Sequence, residues 1–168
     1  LSLAAAIAQQ PDVQWAFAEQ DRGRLRDELL PVFDYLRKNS GIEQIQFHLP
    51  PATSFLRLHD PDNYGDDLSS FRHTVVATNQ QQRNVSGVEE GVAGLGIRGV
   101  VPVFEDGKHL GSFEMGMSLR QSFVEGYKAT HGADIGIYRP ANNGFAALIS
   151  TADSLLFAQS AMEQAMRG

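Results

Sequence analysis

The chain has 168 residues, of which 42% are hydrophobic and 20% are charged, and its formal net charge is −6. This acidic balance argues against a nucleic-acid partner, because proteins bind phosphates through clustered basic surfaces. Cysteine is absent, which excludes disulfides, thiolate zinc sites, attached c-type haem and cysteine nucleophiles.

The sequence contains no segment that approaches the ~18 consecutive apolar residues of a membrane span. The chain begins at Leu1 rather than at Met, and it ends inside an amphipathic pattern. Two interpretations are open at this point. One is a mature or trimmed protein, and the other is a domain of a longer chain whose membrane anchors lie outside it.

Residues 1–39 follow a helical pattern. Apolar residues recur there at steps of three, four and eight: Leu3, Ile7, Val13, Phe17, Leu25, Leu29, Phe33 and Leu36. Pro11 suits the first turn of a second helix, and Pro31 is expected to kink or restart the longer one. The first five apolar residues exceed what one sheet face needs to cover. They therefore predict that this region pairs with a second copy of the chain.

Alternating residues predict strands at Gln44–Leu49 and Ser54–His59, and a third strand is expected at Val85–Glu90. Residues 60–84 between them are polar and rich in turn formers, with a short helix expected within Leu68–Asn79. A connection of this length in a compact domain is usually functional or disordered. We therefore interpret it as a lid that a ligand orders.

Residues 94–118 predict two long strands joined by a tight turn, and Arg98 lies inside the first strand among small and apolar residues. A guanidinium stays protonated at ordinary pH, and its burial without a partner is very costly. Arg98 must therefore point to solvent, meet an internal carboxylate or bind an anionic ligand.

The remaining chain predicts a helix to about His131, a hairpin of Ala133–Tyr138 with Phe145–Ser150, and a last helix capped by Asp153. Helices followed by hairpins indicate an α+β fold with an antiparallel sheet.

We expect one domain over residues 1–168. Its parts are an N-terminal helical region at 1–39, a sheet core at 43–150 and a C-terminal helix at 153–168. The N-terminal helix is expected to cover one face of the sheet, and the 60–84 segment the other.

Several arginines and histidines are placed to form one pocket. Arg57 and His59 lie two apart on a predicted strand, so both project from the same face. A guanidinium fork binds carboxylates bidentately, which makes an organic carboxylate the expected ligand. The alternative for each arginine is a local salt bridge at the surface. The candidate ligand-binding residues are Arg57, His59, Tyr64, Phe71, Arg72, His73 and Arg98.

Other chemistries fit the sequence less well. The segment starting at Asp60 departs from a calcium loop, because its fifth position is Tyr64 and its twelfth is Phe71. No two histidines have the four-residue spacing of a zinc-protease helix. We find no identifiable nucleophile or acid–base pair, and we expect neither a metal nor a cofactor.

With these residues in view, the chain resembles the Cache family of extracytoplasmic sensor domains from bacterial chemoreceptors and sensor histidine kinases. Phe47–His59, followed by Gly65–Arg72, resembles the family's first hairpin and ligand-capping loop. Gly94–Phe104 is similar to the strand that holds a ligand-binding arginine in its citrate and dicarboxylate sensors. Gly107–Gly111 resembles the turn into the next strand.

The resemblance implies a PAS-like fold: a central antiparallel sheet, a long N-terminal helix that continues from a membrane span, and a pocket on one sheet face. Arg98 matches the carboxylate-binding arginine. Arg57 and His59 match an arginine and a histidine of the citrate sensors. Their motif reads Arg-x-Ser-His-Pro, whereas His59 stands one position earlier here.

The expected function is that of a non-enzymatic, periplasmic ligand-binding domain of a bacterial transmembrane receptor. Its expected ligand is a small carboxylate such as acetate, pyruvate or a C4 dicarboxylate. Its other expected partners are a second copy through the N-terminal helix and the membrane through flanking spans only. The alternatives are the same fold sensing an amine, a b-type haem or a partner protein, and a small α+β enzyme. Glu114 is the only strand carboxylate that would suit an amine.

Overall fold

The computed structural model describes residues 1–91 and 94–167, which form two compact units. The first unit is Leu1–Ser118, and the second begins at Leu119. Residues 92–93, and Gly168 at the end of the predicted C-terminal helix, lie outside the described residues. The expectation of a single sensor domain over the whole chain stays a prediction.

The first unit has an α+β fold, as predicted. Its helices are α1 (Ser2–Ala8), α2 (Pro11–Ala18), α3 (Arg22–Ser40) and α4 (His73–Gln81). Its strands are β1 (Gln44–Leu49), β2 (Thr53–Arg57), β3 (Val85–Gly91), β4 (Gly94–Glu105) and β5 (Lys108–Ser118). They form one antiparallel sheet in the order β2-β1-β5-β4-β3, which is the expected PAS-like arrangement.

The long helix α3 is set by local sequence signals at both ends. The Asp21 carboxylate accepts a hydrogen bond from the Arg24 backbone N–H at 2.9 Å, and Gly41 ends the helix with a φ of 67°. Pro31 lies inside the helix, which nevertheless continues to Ser40, so the predicted restart is wrong. Leu29 and Phe33 on either side of the proline are buried, and this packing stabilises the turn that lacks one backbone donor.

One face of the sheet packs beneath the first three helices. The ring centroids of Phe17 and Phe47 are 5.1 Å apart, and those of Phe47 and Phe113 are 5.0 Å apart. Of the five apolar residues expected to pair with a second copy, Leu3 is 46% exposed. The other four, Ile7, Val13, Phe17 and Leu25, are buried in this core. The premise that they exceed the needs of one chain is therefore wrong.

The other face of the sheet carries a smaller apolar cluster under α4. Ala52, Leu68, Val75 and Val100 are buried together there. The rest of this face is polar, because the residues of β1, β4 and β5 alternate between the two sides. The first unit thus has an apolar helical side and a polar side partly covered by α4.

The second unit contains α5 (Gln121–His131), β6 (Gly136–Ala141), β7 (Gly144–Ser150) and α6 (Gln159–Arg167). Strands β6 and β7 form a hairpin with a sheet of its own, so the region predicted as one sheet core at 43–150 contains two sheets. The last helix begins six residues after the predicted cap at Asp153. None of its described residues is buried, so no packing extends it.

Across the described residues, no helix is both long enough and apolar enough to cross a membrane.

Candidate ligand-binding site

The register of three neighbouring strands creates a polar pocket floor. Arg98 on β4 lies opposite Gly116 on β5, which lies opposite Gln44 on β1. Two residues along, Glu114 lies opposite Gln46. Because alternate residues share a face, these side chains emerge together on the side away from the helical core. A Cβ on Gly116 would lie 2.3 Å from Arg98 Nη1, so glycine at this position leaves the room that the guanidinium occupies.

Arg98 is the central cation of this face. Its side chain is 2% exposed, and its Nη1 donates to Gln44 Oε1 and lies 3.5 Å from Glu114 Oε1. Its Nε–H has no hydrogen-bond partner among the described residues. Burial lowers the pKa of Arg98 from its ordinary value, although nearby Glu114 counteracts this. The guanidinium stays charged, and this one of its donors is left without a partner among the described residues.

Glu114 is a fully buried carboxylate between two arginines. Its Oε2 accepts a hydrogen bond from Arg72 Nη2, and its Oε1 faces Arg98. Burial opposes its ionisation, but the charges of Arg72 and Arg98 and the hydrogen bond from Arg72 outweigh burial, so the pKa of Glu114 lies below its ordinary value. The side chain is therefore an ionised carboxylate at neutral pH.

Arg72 reaches the same face from the residue before α4. Its Nε lies 3.4 Å from Glu89 Oε2 on β3, and the Glu89 carboxylate also accepts hydrogen bonds from the Thr74 N–H and hydroxyl at 2.6 and 2.7 Å. Burial opposes the charge of Arg72, but Glu114 and Glu89 outweigh it and raise its pKa. These contacts fix the start of α4 over the pocket.

Arg57 and His59 line the opposite side of the pocket. Arg57 forms a bidentate ion pair with Asp66, with N–O distances of 2.8 and 2.7 Å, and it donates to the Asn63 carbonyl at 2.6 Å. This hydrogen bonding lowers the pKa of Asp66. Burial, followed by the charge of Arg57, lowers the pKa of His59. His59 is therefore neutral at pH 7.

Two of the predicted site residues do not line the pocket. Tyr64 is 55% exposed, and its ring centroid lies 3.3 Å from the guanidinium carbon of Arg22. Arg22 also donates to the carbonyls of Phe55 and Pro61 at 2.8 and 2.6 Å, so these contacts hold the turn on α3. His73 is exposed at the first position of α4. Neither position contacts the polar floor.

The pocket encloses about 280 Å³. Five of the seven predicted site residues line it: Arg57, His59, Phe71, Arg72 and Arg98. Sequence reasoning missed the six other lining residues: the amides Gln44, Gln46 and Asn63, the carboxylates Asp60 and Asp66, and Leu68. Alternation along Gln44–Leu49 gave a signal for the two glutamines, since both are polar and lie on one face of a predicted strand.

Within the described residues, no group of three or more histidine, aspartate or glutamate side chains is arranged to hold a metal ion. The arrangement is suited instead to binding a small molecule that carries hydrogen-bond acceptors. Buried guanidiniums, three amides, a neutral imidazole and two carboxylates line a volume that a molecule of a few carbons can fill.

A family model for the double sensory domain of two-component sensor kinases, dCache_3, matches residues 1–167. The chain belongs to this family. The predicted membership of the Cache sensor domains is thereby confirmed, and the chain is a sensory domain of the kind found in two-component sensor kinases. No curated protein sequence matches the chain significantly.

Several solved structures are similar to this dCache_3 chain. The sensor domain of E. coli DcuS has a TM-score of 0.53 at 13% identity, over 70% of this chain and 84% of that chain. A domain described as belonging to the sensory box/GGDEF family, from Vibrio parahaemolyticus, has a TM-score of 0.56 at 12% identity, over 74% and 53% of the two chains.

The ligand-binding domain of the amino acid chemoreceptor PctC from Pseudomonas aeruginosa, in complex with GABA, has a TM-score of 0.50 at 17% identity, over 82% of this chain and 57% of that chain. At these identities the likeness shows the fold alone. The dCache_3 chain spans most of the DcuS domain, but only slightly more than half of the other two chains.

Proposed function

We propose that this chain is the ligand-binding sensor domain of a bacterial transmembrane receptor, placed in the periplasm, and that it binds a small organic carboxylate beside Arg98. The observation that carries the proposal is the buried Nε–H of Arg98, which has no partner among the described residues although Arg98 lines the pocket. A buried donor without a partner loses its hydration without compensation. A carboxylate oxygen supplies the missing acceptor.

The surroundings favour an anionic acceptor of small size. Hydrogen bonds between ionised groups are shorter and stronger than neutral ones, and exclusion of water strengthens them further. The pocket volume of about 280 Å³ lies at the small end of the range for ligand sites. Acids of a few carbons, such as acetate and pyruvate, therefore fit better than larger ligands.

A thermal-unfolding screen tests this proposal. A ligand that binds only the native state adds about 2.7 kcal/mol of stability at 100 times its dissociation constant. We expect acetate, pyruvate or a related acid to raise the unfolding temperature, whereas acetamide and sodium chloride at equal concentration leave it unchanged. If every acid in the panel behaves like acetamide, the carboxylate proposal is wrong.

A second candidate ligand is a small amino acid. The carboxylates of Asp60 and Asp66 line the same pocket as the arginines, so an ammonium group and a carboxylate would each find an opposite charge. The PctC domain, which has a similar fold, is an amino acid chemoreceptor domain in complex with GABA. Comparing GABA with butyrate separates the two candidates, since only a zwitterion gains from the aspartates.

We infer that the segment over the pocket acts as its lid. Phe71 and Arg72 line the pocket from this segment, and Arg57 holds its Asp66 and Asn63. Ligand contacts at Arg72 add to these bonds, so amide hydrogen exchange in residues 62–80 should slow when a stabilising acid is added. Exchange in α1 and α2, on the far face of the sheet, should change little. If amide exchange in residues 62–80 is the same with and without that acid, this segment is not the lid.

We further propose that the chain forms a homodimer through its N-terminal helical region. The support is a groove between α1 and α3 whose lining includes Leu3, Val32 and Tyr35, which are 46%, 36% and 66% exposed. We expect sedimentation to show weak self-association that Tyr35→Glu abolishes. Tyr127→Glu on α5 serves as the matched control. A strict monomer at high concentration would contradict the dimer.

A further inference from the structure

The pocket has no excess of positive charge, although three arginines line it. The guanidiniums belong to Arg57, Arg72 and Arg98, and the carboxylates on or beside them belong to Asp60, Asp66, Glu89 and Glu114. Burial lowers the pKa of His48 to about 4 and also lowers the pKa of His59, so neither imidazole is charged at pH 7. Three cations thus face four carboxylates before any ligand binds.

These carboxylates differ in how far water screens them. The Asp66 side chain is 45% exposed and Asp60 is exposed as well, so solvent and salt weaken their effect. The Glu114 side chain is 0% exposed and does not itself line the pocket, but it lies against Arg72 and Arg98, which do. Its field acts on the pocket through a medium that contains little water, where a charge is felt most strongly.

We infer that Glu114 determines the charge of the ligand: it restricts the site to molecules with one carboxylate and excludes dicarboxylates. This inference rests on the proposed function. Glu114 already balances the charge of Arg72, which is the guanidinium nearest to it. The first carboxylate of a ligand therefore binds the unpartnered Nε–H of Arg98. A second carboxylate in this small pocket would find no free cation and would be repelled by Glu114.

The test compares succinate with succinamate, which has nearly the same shape but one carboxylate fewer. Calorimetry at neutral pH should show that the wild-type chain binds succinamate more tightly than succinate. In Glu114→Gln the ratio of the two affinities should shift toward succinate by about tenfold or more, the size expected for one unit charge removed at roughly 7 Å in a partly desolvated site.

Two controls separate charge from structure. Glu114→Asp keeps the charge and should keep the wild-type ratio. Glu105→Gln removes a carboxylate at the far end of β4 and should do the same. If Glu114→Gln does not fold, Glu89→Gln replaces it, since this change removes the other carboxylate bound to Arg72 and should shift the ratio in the same direction.

The outcomes are distinct. A wild-type preference for succinate, or a ratio that is equal in the wild type and in the folded variant, overturns the role of Glu114 and leaves the carboxylate site standing. If neither probe binds, the inference fails. The acid panel described above then shows whether the proposed function fails with it.

Discussion

Replacing Arg98 with alanine is expected to weaken carboxylate binding by at least ~10-fold, since a hydrogen bond between charged groups contributes about 1.5–3 kcal/mol and the unpartnered Nε–H of Arg98 is lost. The chain should stay folded. Glu114 keeps its ion pair with Arg72 after Arg98 is removed, so no buried carboxylate is left alone. Calorimetry with the acid that stabilises the wild type most would measure the loss.

Two variants sharpen this result. Arg98→Lys keeps the charge but loses the planar fork, so its affinity should fall between those of the alanine variant and the wild type. Arg83→Ala removes an exposed arginine whose bond is to Gln81, and it should bind normally. An Arg98→Ala protein that is folded and binds the acid with wild-type affinity would show that Arg98 is not the anchor.

Arg98 shows which features of the site a local sequence pattern can predict and which it cannot. The residues around Arg98 predicted that it lies in a strand among small and apolar residues, where it points to solvent, meets an internal carboxylate or binds an anionic ligand. The pattern could not show which strands lie beside β4. Gln44 is 54 residues away in the sequence, yet its side-chain oxygen accepts a hydrogen bond from Arg98. That contact depends on the order of strands in the sheet, and the alternation of residues within one strand does not predict this order.

Arg72 and His73 illustrate a second limit. Both were predicted to line the site as neighbours within the polar segment at residues 60–84. The helix α4 begins between them, so Arg72 turns inward to Glu114 and Glu89 while His73 lies exposed. The spacing of residues in a segment shows which side chains lie on the same face. It does not show which face is covered by neighbouring helices and strands. Four residues of the apolar N-terminal stripe, all except Leu3, were misassigned to a dimer for the same reason.

Glu114 was considered from the sequence only as a partner for an amine. Its carboxylate is instead paired with arginines from α4 and β4, 42 and 16 residues away. A lone glutamate in an apolar strand does indicate a buried ion pair, because an unpaired buried carboxylate is too costly to retain. Arg98, in the next strand of the same hairpin, was the nearest partner available. This local signal was present but was not used.

Lowering the pH from about 6.5 toward 4 is expected to remove up to ~3 kcal/mol of stability through His48 alone. His48 is fully buried, with Nε2 3.8 Å from Glu114 Oε2 and Nδ1 3.5 Å from Ser112 Oγ. Burial lowers its pKa from 6.5 to about 4. The unfolded chain therefore binds a proton below pH 6.5 that the folded chain takes up only near pH 4. Stability is complete above this window and falls as the pH falls through it.

Urea unfolding midpoints measured at several pH values between 7 and 4 would show this loss. His48→Gln cannot titrate, so its midpoint should depend much less on pH across the same window, even if its stability at pH 7 is lower. The dependence that remains comes from other groups whose pKa is lowered in the folded chain: His59 and His109 through burial, and Asp66 and Glu114 through their arginine partners. His131→Gln, at the exposed end of α5, should follow the wild type. If the wild type and His48→Gln lose stability in parallel, the proton uptake belongs to another group and His48 is not the residue that titrates.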